Sequence, residues 1–169
     1  MKEFSHPGSR NMEPVDLNRI ISTTVTVARN EWKYVADVKT SFFENLPDIY
    51  CLADEMGQVF LNLLVNAGHS IAERIGENSG MKKGCITIRT SRKDGWVEVR
   101  IRDNGMGIEE NARDKLFDPF FTTKEVGKGT GQGLSIAHDV ITKKHDGTIT
   151  FETEVGKGTT FIVRLPAAG

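Results

Sequence analysis

The run Asp103-Asn-Gly-Met-Gly107 ends an alternating apolar and polar stretch, Trp96 to Asp103, with a carboxylate and two glycines. A hairpin needs less, because one Gly or an Asn-Gly pair suffices. An acid at the end of a strand can accept a hydrogen bond from an exocyclic amino group. Glycines at 105 and 107, lacking Cβ, let a flat ring lie against the backbone. Taken alone, the same run also fits a Gly-rich turn closed by an Asp.

Four other runs carry chemistry. In "DEMGQVFLNLLVNAGHSIAERI", Asp54 to Ile75, a helical advance of about 100° per residue puts Asn62, Asn66, Ser70 and Glu73 on one narrow stripe, with His69 beside it. Apolar residues around the stripe predict a helix buried nearly all round. Buried amides there either bond a neighbouring loop or face a polar ligand, and an amide oxygen suits a hard cation such as Mg²⁺. "GKGTGQGLS", Gly127 to Ser135, runs four glycines into a helix start. Backbone N–H groups exposed that way make an anion site, although the run is neither a Walker A loop nor a dinucleotide fingerprint. "LFDPFFTTK", Leu116 to Lys124, sets Phe117, Phe120 and Phe121 in an otherwise solvent-fit segment. Aromatics there can anchor a mobile lid, or form a satellite cluster under a long loop. "GKGTTF", Gly156 to Phe161, reads locally as a turn entering a strand.

These runs need elements to position them. Residues 1 to 13 read as a linker, and a domain spans 14 to 169. Asp16 is placed to cap a helix with Leu17, Ile20, Ile21, Val27 and Ala28 inward, and "VADVKTSFF" reads as a strand. Asp54 is the expected N-cap of the long helix. "CITIRTS" and "WVEVRIRD" alternate at period two around "RKDG", and "GTITFETE" and "GTTFIVRLP" around "VGKG", which predicts two hairpins. A last helix over "GQGLSIAHDVITKKH" would turn Leu134, Ile136, Ala137, Val140 and Ile141 inward. Helices segregated from a mostly antiparallel sheet make a two-layer α/β sandwich. The stretch from Asn104 to about Thr130 is long enough to be a lid or binding loop.

Composition narrows the class. With 22 basic and 23 acidic residues there is no electrostatic footprint for nucleic acid or an anionic membrane. No apolar run is long enough to span a bilayer, so the expectation is a fragment that is not membrane-inserted. Cys51 and Cys85 have no His in metal-ligand spacing, and a reduced, cytoplasmic setting is the default.

The order of the five runs, "NLLVNA", "DNGMG", "FDPFFTTK", "GTGQGLS", "GKGTTF", resembles the N, G1, F, G2 and G3 boxes of the ATP-binding domain of sensor histidine kinases. That resemblance, from about Pro14 onward, implies the Bergerat fold: a mixed, mostly antiparallel sheet covered on one face by three helices, with a long ATP lid. It implies ATP and Mg²⁺ as cofactors. Asp103 would accept from the adenine amino group, with Thr159 helping through an ordered water, and Gly105, Met106, Gly107 and Ile108 would line the base. Asn66 would be the metal ligand, supported by Asn62. Gly129, Thr130, Gly131, Gln132, Gly133 and Leu134 would close over the phosphates, Phe117, Phe120, Phe121 and Thr122 would seat the lid, and Lys124 or Lys128 would reach the γ-phosphate. The catalytic set is then Asn62, Asn66 and Lys124. His69 departs from the pattern, because many of these kinases carry Lys or Arg there; a neutral imidazole offers less charge to a phosphate.

Hydrolytic members of the superfamily carry Glu one turn before the Mg²⁺-binding Asn, where this chain has Asn62. An amide takes no proton from water at neutral pH, so the resemblance implies phosphoryl transfer. The acceptor would be a His on a dimerisation domain of the same full-length protein. None of His6, His69, His138 and His145 fits that role. The resemblance further implies a response regulator downstream, a full-length homodimer, and an inner-membrane anchor outside these residues as an open possibility. An anti-sigma-factor type of Ser kinase and a non-catalytic nucleotide sensor are the alternatives.

Overall fold

Two hairpins and one long helix make the frame. The computed structural model describes residues 11–77, 80–119 and 133–168. In chain order these form β1 (Glu13–Val15), α1 (Leu17–Val27), α2 (Arg29–Trp32), β2 (Ala36–Ser41), β3 (Ile49–Cys51), α3 (Ala53–Gly76), β4 (Gly84–Lys93), β5 (Trp96–Asp103), α4 (Glu110–Arg113), α5 (Gly133–Asp139), a π-helical turn over Val140–Lys144, β6 (Thr148–Glu154) and β7 (Gly158–Pro166).

The main sheet has five strands in the order β2-β4-β5-β7-β6. β2 runs parallel to β4 and every other pair is antiparallel. Both predicted hairpins are present. Asp94-Gly95 makes the two-residue turn of the first, with Lys93 opposite Trp96, and both residues have the positive φ that such a turn requires. Alternation puts Ile86 and Ile88 of β4, Val97, Val99 and Ile101 of β5, and Phe161, Val163 and Leu165 of β7 on one buried face. Against it lie Phe60, Leu63, Leu64 and Ile71 of α3, flanked by Leu17 and Ile21 of α1 and by Ala137 beside the π-helical Ile141. The architecture is the two-layer sandwich, with α1, α3 and α5 on one face of a mixed sheet.

Several local expectations are corrected. Asp16 does cap α1, its carboxylate accepting from Arg19 N. Val27, however, is 72 % exposed, and Thr24 takes the inward position, its hydroxyl donating to the Ile20 carbonyl. Asp54 is not the cap of α3. The helix starts two residues earlier, behind Leu52, which has no side chain able to cap, and Asp54 with Glu55 sits in the first turn, where acids favour the helix dipole. Leu52 N instead donates to Nε2 of buried His145, whose Nδ1 donates to the Val140 carbonyl. One neutral imidazole thereby ties the start of α3 to the end of the last helix. Ile136 faces outward at 47 % exposure, while Ser135, Ala137, Val140 and Ile141 face in. The short antiparallel pair β1 and β3 goes unread in the sequence.

Candidate functional site

The stripe of α3 and the end of β5 meet at one edge of the sandwich. Asn62, Asn66, His69 and Ser70 are half-buried along α3 and Glu73 is exposed. The helix is therefore not buried all round: its apolar residues face the sheet and the neighbouring helices, and the stripe is only partly covered. Asn62 Nδ2 donates to the Gly133 carbonyl at 3.1 Å, and its Oδ1 accepts from Gln58 Nε2 at 3.0 Å. Both ends of that amide are committed, and they lock α3 to the first residue of α5. Leu134 follows, half-buried and packed against the core.

One and two turns beyond Asn66, Ser70 and Arg74 hold the loop after β5. Met106 N donates to Ser70 Oγ at 3.0 Å, and Arg74 Nη1 donates to the Asn104 carbonyl at 2.8 Å. The Asn104 side chain accepts from Cys85 N at 2.8 Å. This close packing explains the glycines. A Cβ on Gly105 would collide with Ser70, and Gly107, at φ +78°, would press one onto the Glu154 carbonyl. Packing within the protein is thus reason enough for glycine at both positions.

Across the loop, the β6–β7 hairpin completes the wall. Gly156 N donates to the Met106 carbonyl at 2.8 Å, and Ile108 N to Thr153 Oγ1 at 2.9 Å. Thr153 donates to the Gly158 carbonyl, so at the 2.9 Å contact between the two hydroxyls Thr159 is the donor. Thr159 keeps its lone pairs for another donor. The Ile108 carbonyl accepts from Arg113 Nε of α4.

Asp103 lies at the centre. The antiparallel register sets it opposite Thr159, and its side of β5 faces the core, so it is only 2 % exposed. Its Oδ1 accepts from Gly105 N at 2.8 Å. Burial pushes the carboxyl up to about 6, and the N–H groups of Gly105 and Thr159 hold it down only in part. A buried acceptor at a strand end, backed by two N–H groups, is arranged to receive a donor pair from a planar ligand. Among the described residues no three His, Cys, Asp or Glu side chains come together to hold a metal. The Asn66 amide oxygen is the kind of hard donor that could complete the shell of a divalent cation already bound to phosphate oxygens.

Phe117 packs its ring 4.9 Å from His138 and edge-on to Phe151 and Phe161 at 6.0 and 6.5 Å. The first aromatic of the Phe-rich run is therefore seated on the core. Phe120, Phe121, Thr122, Lys124, Lys128, Gly129, Thr130, Gly131 and Gln132 lie outside the described residues. Ser70, though placed on the stripe, was given no role by sequence reasoning, which also missed Arg74 and Thr153. Arg74 had a readable signal of position, though not of its partner, since it lies four residues after Ser70 and so neighbours the stripe on the helix surface.

Comparison with known proteins places the chain in a family. Residues 51–169 match the family of histidine kinase-, DNA gyrase B- and HSP90-like ATPases. The two-component sensor PprA of Pseudomonas aeruginosa is 42 % identical over 118 residues, which cover 69 % of this chain and 12 % of that protein. The sensor histidine kinase ZraS of Escherichia coli is 32 % identical over 166 residues, covering 97 % of this chain and 33 % of that protein. The chain thus spans a third or less of the length of these relatives. The solved catalytic domain of the histidine kinase ThkA superposes with a TM-score of 0.78 at 27 % identity, covering 94 % of this chain and 97 % of that one. The chain belongs to the histidine kinase-, DNA gyrase B- and HSP90-like ATPase family, whose members bind ATP, and corresponds to the catalytic domain of a sensor histidine kinase.

Proposed function

We propose that this domain, residues 14 to 169, binds Mg²⁺-ATP and transfers the γ-phosphoryl group to a His on the dimerisation domain of its full-length protein. The observation that carries transfer over hydrolysis is Asn62, whose amide is bonded on both sides at the position where hydrolytic relatives hold an acid. An amide at that position takes no proton from water, which favours a role in positioning and charge stabilisation.

Asp103 reads the adenine amino group, and the Thr159 lone pairs accept from a bridging water. Ser70 and Arg74 keep the base-lining loop in place. Asn66 offers its amide oxygen to Mg²⁺, which when bound neutralises phosphate charge. Asn62 fixes the start of α5, so that Gly133 and the glycines before it can present N–H groups to the phosphates, and Phe117 anchors the lid. Lys124 or Lys128 supplies the cation for the γ-phosphate. His69 lines the site as a polar group.

The phosphoryl group then passes to a response regulator; the histidine kinase ThkA has been solved in complex with the response regulator TrrA. The full-length protein acts as a homodimer. Among the described residues no helix is long and apolar enough to cross a membrane, and any anchor would be supplied elsewhere.

The test is to mix the chain with a histidine-containing dimerisation domain and labelled ATP. Acid-labile, base-stable label on that partner is expected. Label on a Ser of a partner protein would favour the anti-sigma-factor type of kinase, and nucleotide binding with no label on any partner would leave a sensing module.

A further inference from the structure

The sheet face turned away from the helices carries a second feature that the nucleotide site does not use. Outward positions of β4 and β5 hold Arg89 directly opposite Arg100, and Thr87 opposite Arg102. Like charges set directly opposite destabilise a sheet, and the diagonal from Arg89 to Arg102 is only about 7–8 Å. Thr160 of β7 stands opposite Arg102 on its other side. Together these residues line an open hollow of about 460 Å³ that ends at Asp103 and Asn104.

The charges on this face are unevenly matched. Glu98 is 2 % exposed beneath Arg100 and Arg164, each donating through Nε at 2.9 Å, with Lys93 at 3.7 Å. Burial works to raise its carboxyl, but those hydrogen bonds and charges leave it below the ordinary carboxylate value, so it is ionised. Arg100 is thereby fixed through Nε, and its Nη1 lies 3.7 Å from the exposed Glu152. Arg89 and Arg102 form no ion pair among the described residues. Three guanidinium groups thus surround a hollow lined by two acidic residues, exposed Glu152 and, at its end, Asp103, whose carboxyl is buried on the core side of β5, in a chain whose net charge is -1.

We propose that this hollow is a second ligand site, on the opposite face of the strand that ends in Asp103, for a small molecule bearing a phosphate or diphosphate group. Planar guanidinium forks pair bidentately with phosphate oxygens, and the hydroxyls of Thr87 and Thr160 add neutral donors between them. The volume falls within the roughly 300–1,000 Å³ of small-molecule sites. An extended acidic peptide spaces its same-face carboxylates about 7 Å apart, so it would bring fewer oxygens to the three arginines than one compact diphosphate does.

The experiment is amide-shift mapping by heteronuclear NMR during titration with inorganic pyrophosphate at constant ionic strength. Saturable shifts are expected at residues 87–89, 100–102 and 160. The double variant Arg89→Gln/Arg102→Gln should weaken them by roughly tenfold or more while the response to a non-hydrolysable ATP analogue is kept, and its dispersed spectrum reports folding. Shifts confined to α3 and residues 103–108, or outer-face shifts unchanged in the double variant, would overturn the assignment. A polyglutamate peptide binding this face more tightly than pyrophosphate would overturn it in favour of a protein-docking surface.

Discussion

Asp103 should make the nucleotide-free protein less stable and the nucleotide site more selective, through the same proton. Its carboxyl is raised from an ordinary 3.8 to about 6, chiefly because burial penalises the charged form. A shift of about 2 pH units corresponds to about 3 kcal/mol. The folded chain holds the proton more tightly than the unfolded one. The stability contributed is therefore fully present below about pH 4, where both states are protonated, and is lost as pH rises through about 6. At pH 7.5 the ionised, empty site then carries the whole penalty. Asp103→Asn removes the charge, so without nucleotide the variant should melt several degrees above wild type at pH 7.5, at roughly 2–4 °C per kcal/mol for a domain of this size. The gap should close toward pH 4. Nucleotide affinity should move the other way, because only the ionised carboxylate accepts fully from an amino group. The variant should lose roughly 1–3 kcal/mol of binding at pH 7.5, and wild type should lose its advantage as pH falls through about 6. Calorimetric melting across this range, paired with titration calorimetry using a non-hydrolysable ATP analogue, reads both effects. Titration of the ligand's own phosphates cancels in the difference between the two proteins. Melting differences that stay constant with pH, or equal affinities at pH 7.5, would refute the reasoning.

Further outcomes follow from the hydrogen bonds around the site. Asn62→Asp would turn a carboxylate oxygen toward the Gly133 carbonyl and cost about 1–3 kcal/mol, measured by denaturant unfolding. Arg74→Ala releases the Asn104 carbonyl, and calorimetry should record roughly tenfold weaker nucleotide binding with the fold intact. Gly105→Ala drives a methyl group into Ser70 and should abolish measurable nucleotide affinity, while amide-shift changes remain confined to residues near the loop. His145→Phe strands the Leu52 N–H and the Val140 carbonyl and should lower stability by about 2–4 kcal/mol, without a specific effect on nucleotide selectivity.

Elements with strong periodicity could be read before the structure, and those made by long-range contacts could not. The β4–β5 and β6–β7 hairpins carry period-two alternation and Gly-containing turns, and α3 has a helical apolar face sustained over many turns. β1 and β3 are three residues each, too short for any period to emerge. Val27 and Ile136 are apolar residues at plausible inward phases, but α1 ends at Val27 and the start of α5 abuts Asn62 rather than the sheet. The cap of α3 was misread because β3 runs almost directly into the helix and His145, 93 residues away, takes the Leu52 N–H. In the site, Asp103 was readable as an acid ending an alternating strand. The links from Ser70, Arg74 and Thr153 were not, since each joins a side chain to the backbone of a loop dozens of residues away. The glycines of "DNGMG" were recognised as necessary, but their first physical cause is packing against α3 and the β6–β7 turn.

The most direct test of transfer against hydrolysis is to compare phosphate release by the chain alone with phosphoryl transfer to an added histidine-containing dimerisation domain, both under saturating Mg²⁺-ATP. Label is expected to accumulate on the partner's His with little free phosphate from the chain alone, because Asn62 offers no base to water. Sustained phosphate release without the partner, undiminished in Asn62→Ala, would contradict it.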